Sequence, residues 1–295
     1  MTAPSVNLVG CGRVAKTLGR LIVDRQLATL GTIYSRNLDR GEQACEFIGE
    51  GAATDNFHTL TQAKIWLIAV SDDAIAPVCQ QLAEQSHLDW SGSTVFHCSG
   101  IHSATLLKPL AEKGAATASL HPIHSFANPA DSIAQFQGTY CTTEGDSEAV
   151  VCLTEIFTAL GATTVPIRGD SKALYHAATA VASNHLVALI ANSIELLALS
   201  GVEHAVASTM LRTLILGSAT NALTTSPQAA LTGPIQRGDS DSVRKHLMAI
   251  ESHCPELLIA YRTMAGETLK LATKNAESLD SGHQAIARLL AVSAD

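Results

Sequence analysis

The segment Ser5-Val-Asn-Leu-Val9-Gly10-Cys11-Gly12-Arg13-Val14-Ala15 decides the fold. Residues 5–9 read as a buried strand, and residues 13–24 as an amphipathic helix, with a glycine pair between them. The string from Gly10 to Ala15 has the form G-x-G-x-x-A, and its weight comes from standing between a strand and a helix. Gly10 allows the tight turn, and Gly12 lets the backbone approach a pyrophosphate. Ala15 lets the helix pack close to the sheet, and the helix N-terminus faces the phosphate charge. Gly10, Cys11, Gly12, Arg13, Val14 and Ala15 are therefore candidate dinucleotide contacts.

Working outward, further strands are expected at residues 31–34, near Ala52, and at 65–70, 95–97, 116–120 and 139–142. Helices are expected at 38–48 and 75–85 and from Ser103, with Asp72 and Asp73 as capping candidates. Alternation of this kind implies an α/β domain: a mostly parallel, doubly wound Rossmann sheet over residues 1–168. The end of the second strand selects the cofactor. An NAD site places Asp or Glu there for the ribose hydroxyls. This chain has Tyr34-Ser35-Arg36-Asn37, with Arg40 a turn later. Arg36 is suited to stack on adenine and to pair with an extra phosphate, and Ser35 to donate to it. NADP(H) is the expected cofactor, with Ser35, Arg36, Arg40, Val70 and Ser71 among its contacts.

The period changes after Pro166. Residues 171–199 read as one long helix whose only fully charged residues are Lys172 and Glu195. Further helices are expected at 202–224, 242–252, 255–275 and 282–291, giving an all-α domain over 169–295. A helix apolar nearly all round is expected to be surrounded by protein rather than lipid, and a homodimer through the helical domain is the simplest source of that cover. Aromatic residues make up only 4% of the chain, so small aliphatics must do most of the packing. A net charge of −8 with no basic run argues against nucleic acid as a partner. The seven cysteines are scattered without a C-x-x-C, which argues against a disulfide framework or a metal site. With no room for a leader before Ser5, a cytoplasmic protein acting on a small molecule, with no membrane partner, is expected.

Five stretches carry a resemblance over nearly the whole chain: His97-Cys-Ser-Gly100, Leu120-His-Pro-Ile-His-Ser-Phe126, Lys172-Ala-Leu-Tyr-His-Ala177, Ala182-Ser-Asn184 and Leu231-Thr-Gly-Pro-Ile-Gln-Arg-Gly-Asp239. With them the chain resembles the bacterial Rossmann-like oxidoreductases with a C-terminal helical domain of unknown function. These belong to the phosphogluconate dehydrogenase-like, ketopantoate reductase and pyrroline carboxylate reductase superfamily. Some members are implicated as alternative ketopantoate reductases, so the resemblance implies an NADPH-dependent reductase of a small 2-oxo acid. Related reductases place a lysine in the long helix as general acid, the position of Lys172. They carry asparagine four and eight residues later, where this chain has His176 and Ala180, with Asn184 four further on. The location of His121-Pro122 is similar to the His-Pro of prephenate dehydrogenases, whose histidine contacts the reacting hydroxyl.

The expected catalytic set is Lys172, His121, Ser99 and Asn184, and the expected substrate contacts are His176, Ser183 and Arg237. At about 100° per residue, Lys172, His176, Thr179 and Ser183 share one side of the helix. Ser99 reads equally as a substrate donor or as a cap for the segment from Ser103. Arg237 reads as a carboxylate anchor or as loop chemistry beside an N-cap from Asp239 or Ser240. His121 and His124, without an acidic neighbour, make a poor metal site. Two other readings stand beside ketopantoate-type reduction: a cyclic imine reductase of the pyrroline carboxylate reductase type, and a non-catalytic NADPH sensor.

Overall fold

The computed structural model describes residues 3–291. It divides into two compact units, one up to Ala180 and one from Val181. The division falls later than the change of period near Gly169, because the first turns of the long helix bond to the sheet.

The first unit is an eight-stranded sheet of order β3-β2-β1-β4-β5-β6-β7-β8. Its strands are β1 (Ser5–Val9), β2 (Thr29–Tyr34), β3 (Ala52–Thr54), β4 (Ile65–Ile68), β5 (Thr94–His97), β6 (Ala116–Pro122), β7 (Tyr140–Gly145) and β8 (Thr163–Pro166). Pairing is parallel as far as β6; β7 is antiparallel to β6, and β8 is parallel to β7. The helices are α1 (Arg13–Asp24), α2 (Leu38–Ile48), α3 (Asp72–Ala83), α4 (Lys108–Ala111), α5 (Pro129–Ala134), α6 (Ser147–Ala159) and α7 (Lys172–Ala180).

β4 shows why the sequence reads as unbroken apolar runs. Ile65 and Leu67 face one core with Leu18, Phe96 and Phe157. Trp66 and Ile68 face the other, with Ile75, Leu82, Trp90 and Leu110. Successive strand residues point to opposite faces, and both faces are covered by helices, so apolar side chains dominate both and buried polar ones such as Asn7 and Ser119 are hydrogen-bonded. The expected parallel, doubly wound sheet is borne out. Three elements of this unit were not expected from the pattern: the short α5, α6 and β8. α6 buries only Ala149, Leu153 and Phe157, and β8 is an edge strand with three of its four residues exposed.

The second unit begins with a π-helical turn, Val181–His185, and continues through α8 (Leu186–Leu199), α9 (His204–Thr224), α10 (Pro227–Ala230), α11 (Ser240–His253), α12 (Leu258–Ala272) and α13 (Ser281–Leu290). It has no strand among the described residues, in line with the expected all-α domain. Its core is Ile235, Val243, Leu247, Ala265, Leu269 and Ile286, built on α11, α12 and α13. Asp239 caps α11 by accepting from the Ser242 amide at 3.0 Å.

One expectation about the long helix is corrected. It is not one uniform helix, because the π turn interrupts it; a single 3.6-residue period does not run from Lys172 to Asn184. Within its own chain that helix is not buried. α8 has no buried residue and α9 buries only Ala207. The small α11–α13 core leaves their apolar side chains open, among them Val187, Leu214, Leu216 and Leu223. By length and composition alone the run Gly169–Leu199 also suffices to cross a membrane. His176, Asn184, His185 and Glu195 interrupt its apolar character.

Candidate active site

The glycine loop closes β1 onto α1. The Gly10 amide donates to Tyr34 O at 2.8 Å. Gly10 has a φ of +112°, and a Cβ there would stand 2.3 Å from Ala69 O, so only glycine fits. Gly12 is the reverse case. A Cβ on it would meet nothing within 4 Å. Gly12 also precedes a helix with no side-chain cap and no acid in its first turn. The first amides of α1 are therefore unfilled donors facing open space, the requirement for a pyrophosphate. Ala15 is fully buried behind them.

At the end of β2, Ser35 is buried, and its hydroxyl lies 3.1 Å from Cys11 Sγ and accepts from the Asn37 amide at 3.3 Å. Arg36 and Arg40 are exposed, and neither forms an ion pair among the described residues. A cavity of about 150 Å³ runs from this loop along the sheet edge, lined by Val14, Val70, Asp72, Cys98 and Ser99. Ser71 stands at the N-cap position of α3 without a side-chain capping bond, and the capping candidates Asp72 and Asp73 lie in the first turn instead. The cavity lies at the carboxyl ends of β1, β4 and β5, where the strand order reverses and where such sheets bind ligands.

Ser99 links this cavity to a buried polar cluster. Its amide donates to His97 Nδ1 at 3.2 Å, and His97 Nε2 lies 3.1 Å from Ser103 O. Burial lowers the His97 pKa to about 4, so the ring is neutral with its proton on Nε2. Ser99 Oγ accepts from the His102 amide at 3.1 Å, a turn bond rather than a helix cap, since the N-cap of the Ala104–Leu107 segment is Ser103.

Lys172 is only 1% exposed. Its ammonium donates to Ser99 O at 2.8 Å and to Ser119 Oγ, with Glu144 Oε1 4.0 Å away. Glu144 is held in turn by the Ala104 amide at 2.7 Å. Burial lowers the Lys172 pKa to about 8, and the Glu144 carboxylate opposes the shift. The buried charge is thus fully engaged on its sheet-facing side.

His121 stands at the end of β6, two residues after Ser119 on the same face of the strand. Its Nδ1 lies 2.6 Å from the Tyr175 hydroxyl, and the His176 ring is 6.4 Å away. Gly100 makes this approach feasible, since a Cβ there would stand 2.6 Å from His176 Cδ2 and 3.0 Å from His121 Nε2. His124 turns away and packs edge-on against Phe126.

The structure therefore brings together Ser99, His121, Lys172 and His176 of the expected set. Ser183, Asn184 and Arg237 belong to the second unit, and all three are exposed. Ser119, Glu144 and Tyr175 were not among the expected residues. Ser119 carried a signal, its i, i+2 alternation with His121. Tyr175 follows Lys172 by three residues on one helix. Glu144 carried none, since it reaches Lys172 only through the antiparallel β6–β7 pair.

Residues 2–122 match the model of a Rossmann-like domain, and residues 139–268 match that of a domain of unknown function, DUF2520. No curated protein matches this chain. Among solved structures, protein TM1727 from Thermotoga maritima is 25% identical; the match covers 91% of this chain and 98% of that one, with a TM-score of 0.70. An imine reductase from Myxococcus stipitatus, in complex with NADP+, is 14% identical over 98% of this chain and 100% of its own, at a TM-score of 0.66. A pyrroline-5-carboxylate reductase from Coxiella burnetii is 15% identical over 94% of this chain and 100% of its own, at 0.59. These likenesses establish the shared fold: a Rossmann-like domain followed by a helical one.

Proposed function

We propose that this chain, in which a Rossmann-like domain precedes a DUF2520 domain, is an NADPH-dependent reductase of a small carbonyl compound, with a 2-oxo acid such as ketopantoate as substrate. One observation carries the reading. Ser99 lines the cavity that begins at the glycine loop, and its carbonyl also holds the buried Lys172. A cofactor on the loop and a polarising cation thus share one edge of one sheet. The Myxococcus and Coxiella neighbours, an imine reductase holding NADP+ and a pyrroline-5-carboxylate reductase, support the class.

The unfilled amides at the start of α1, with Gly10 and Gly12, would hold the pyrophosphate. Arg36 and Arg40 would hold the additional phosphate of NADPH, and Val70 and Ser71 would border the cofactor. When bound, the nicotinamide supplies a hydride. Lys172 and His121 are the groups of this chain that would stabilise and protonate the developing oxyanion. The apolar side chains on α8 and α9 support a homodimer through the helical domain.

The test is oxidation of NADPH followed by absorbance, with ketopantoate as acceptor and NADH as control. Turnover preferring NADPH supports cofactor, class and substrate together. The neighbours favour a second reading, reduction of a cyclic imine, and a panel of cyclic imines beside 2-oxo acids separates the two. NADPH binding without turnover on either panel would remove the catalytic reading.

A further inference from the structure

The pair His121 and Tyr175 carries more than a contact. β7 runs antiparallel to β6 so that Thr142 lies directly opposite His121. The Tyr175 hydroxyl is 2.6 Å from His121 Nδ1, and the rings meet edge-on at 83°. The Thr142 hydroxyl is buried and has no hydrogen-bond partner among the described residues, and burial raises the Tyr175 pKa. Tyr175 and His121 thus form a hydrogen-bonded pair that ends at His121 Nε2.

Donor logic sets the direction of that bond. A neutral imidazole has one N–H and one acceptor nitrogen. Burial first, then Lys172 and His176, lower the His121 pKa to about 4, against a smaller opposing effect of Asp72. His121 is therefore neutral near pH 7. With the phenol as donor, Nδ1 is the acceptor and the imidazole proton sits on Nε2. Among the described residues nothing accepts from Nε2, and the ring packs directly against Gly100, where a Cβ would stand 3.0 Å from Nε2. Lys172, by contrast, points its N–H groups at Ser99 O and Ser119 Oγ and faces Glu144.

We infer that His121, held as its Nε2–H tautomer by Tyr175, delivers the proton in the proposed reduction, while Lys172 serves as a fixed positive charge. The inference rests on the reductase reading. As the carbonyl carbon gains hydride, the π pair moves to oxygen, and that oxygen takes the proton of Nε2. Nδ1 takes the phenolic proton of Tyr175 as Nε2 loses its own; once product leaves, Nε2 recovers a proton from water and Nδ1 returns its proton to the phenolate, which restores the starting tautomer. A neutral imidazole suits this role because it donates only to a strongly basic oxygen. Tyr175 acts through His121 and is a positioning residue.

The deciding measurement is long-range 15N–1H NMR of the histidine side chains, which reads the tautomer without acceptor or cofactor. His121 is expected as Nε2–H in the wild type and as a mixture, or as Nδ1–H, in Tyr175→Phe. A wild-type His121 protonated on Nδ1 overturns the inference. With an acceptor in hand, Tyr175→Phe is expected to lower kcat by about tenfold or more at unchanged NADPH affinity, and an unchanged kcat also overturns it. A wild-type protein that turns over neither carbonyl nor imine acceptors sinks the reductase reading instead, and the tautomer then decides by itself whether Tyr175 positions His121.

Discussion

Lys172 is buried, and its pKa is lowered to about 8 chiefly by that burial. If its charge is needed for turnover, kcat/KM falls as pH rises through about 8. Glu144→Gln removes the opposing carboxylate and is expected to move that limb to lower pH; a limb that stays in place would separate Glu144 from Lys172. Stability has its own sign. Between pH 8 and 10.5 the unfolded chain binds a proton that the folded chain has released, so stability rises with pH across that window. Urea midpoints at the two ends of the window check it, with Lys172→Met as the variant in which this contribution is absent. Gly100→Ala is expected to separate His121 from His176, since its Cβ would stand 2.6 Å from His176 Cδ2. The cost is about 1–3 kcal/mol of overpacking and a loss of turnover, read by melting and by steady-state rates. At this scale the sequence reveals residue types, such as a lysine opening a helix. It does not reveal that Ser119 and Glu144 close around that lysine, because the strand pairing that joins them is non-local.

The glycine loop is the element whose role was most legible. It yields a paired prediction, because its two glycines are needed for different reasons. Gly10→Ala strains a φ of +112° and meets Ala69 O, so it is expected to destabilise the fold. Gly12→Ala meets no protein atom, so it is expected to cost about 1 kcal/mol or less while abolishing NADPH binding. Thermal melts and cofactor titration on the two variants test this; equal loss of stability in both would sink the distinction. The long helix was less legible. Its composition is continuous across the π turn Val181–His185, and nothing in a 3.6-residue period announces an inserted residue. α6 and β8 escaped the pattern for a related reason, since one buries few side chains and the other lies on an edge.

At the scale of the whole molecule, the outstanding fact is the apolar surface of α8 and α9. Leu223 is 88% exposed and Leu214 64%. In the proposed homodimer these side chains are covered, and an obligate interface of roughly 2,000 Å² or more is expected. Leu214→Glu together with Leu223→Glu is expected to yield monomer by light scattering with helical content retained. A wild-type protein that is already monomeric would remove the proposal.

The sequence by itself determined the alternation of strands and helices, the dinucleotide turn and the change to an all-α second half. Each is written in local periodicity or in backbone geometry that only certain residues permit. The tertiary structure alone decided that β7 reverses direction, that Glu144 and Ser119 meet Lys172, that Tyr175 meets His121, and that α8 and α9 stay open in a single chain. Those outcomes depend on contacts between residues far apart in sequence, and on how much surface one chain has available to cover another part of itself.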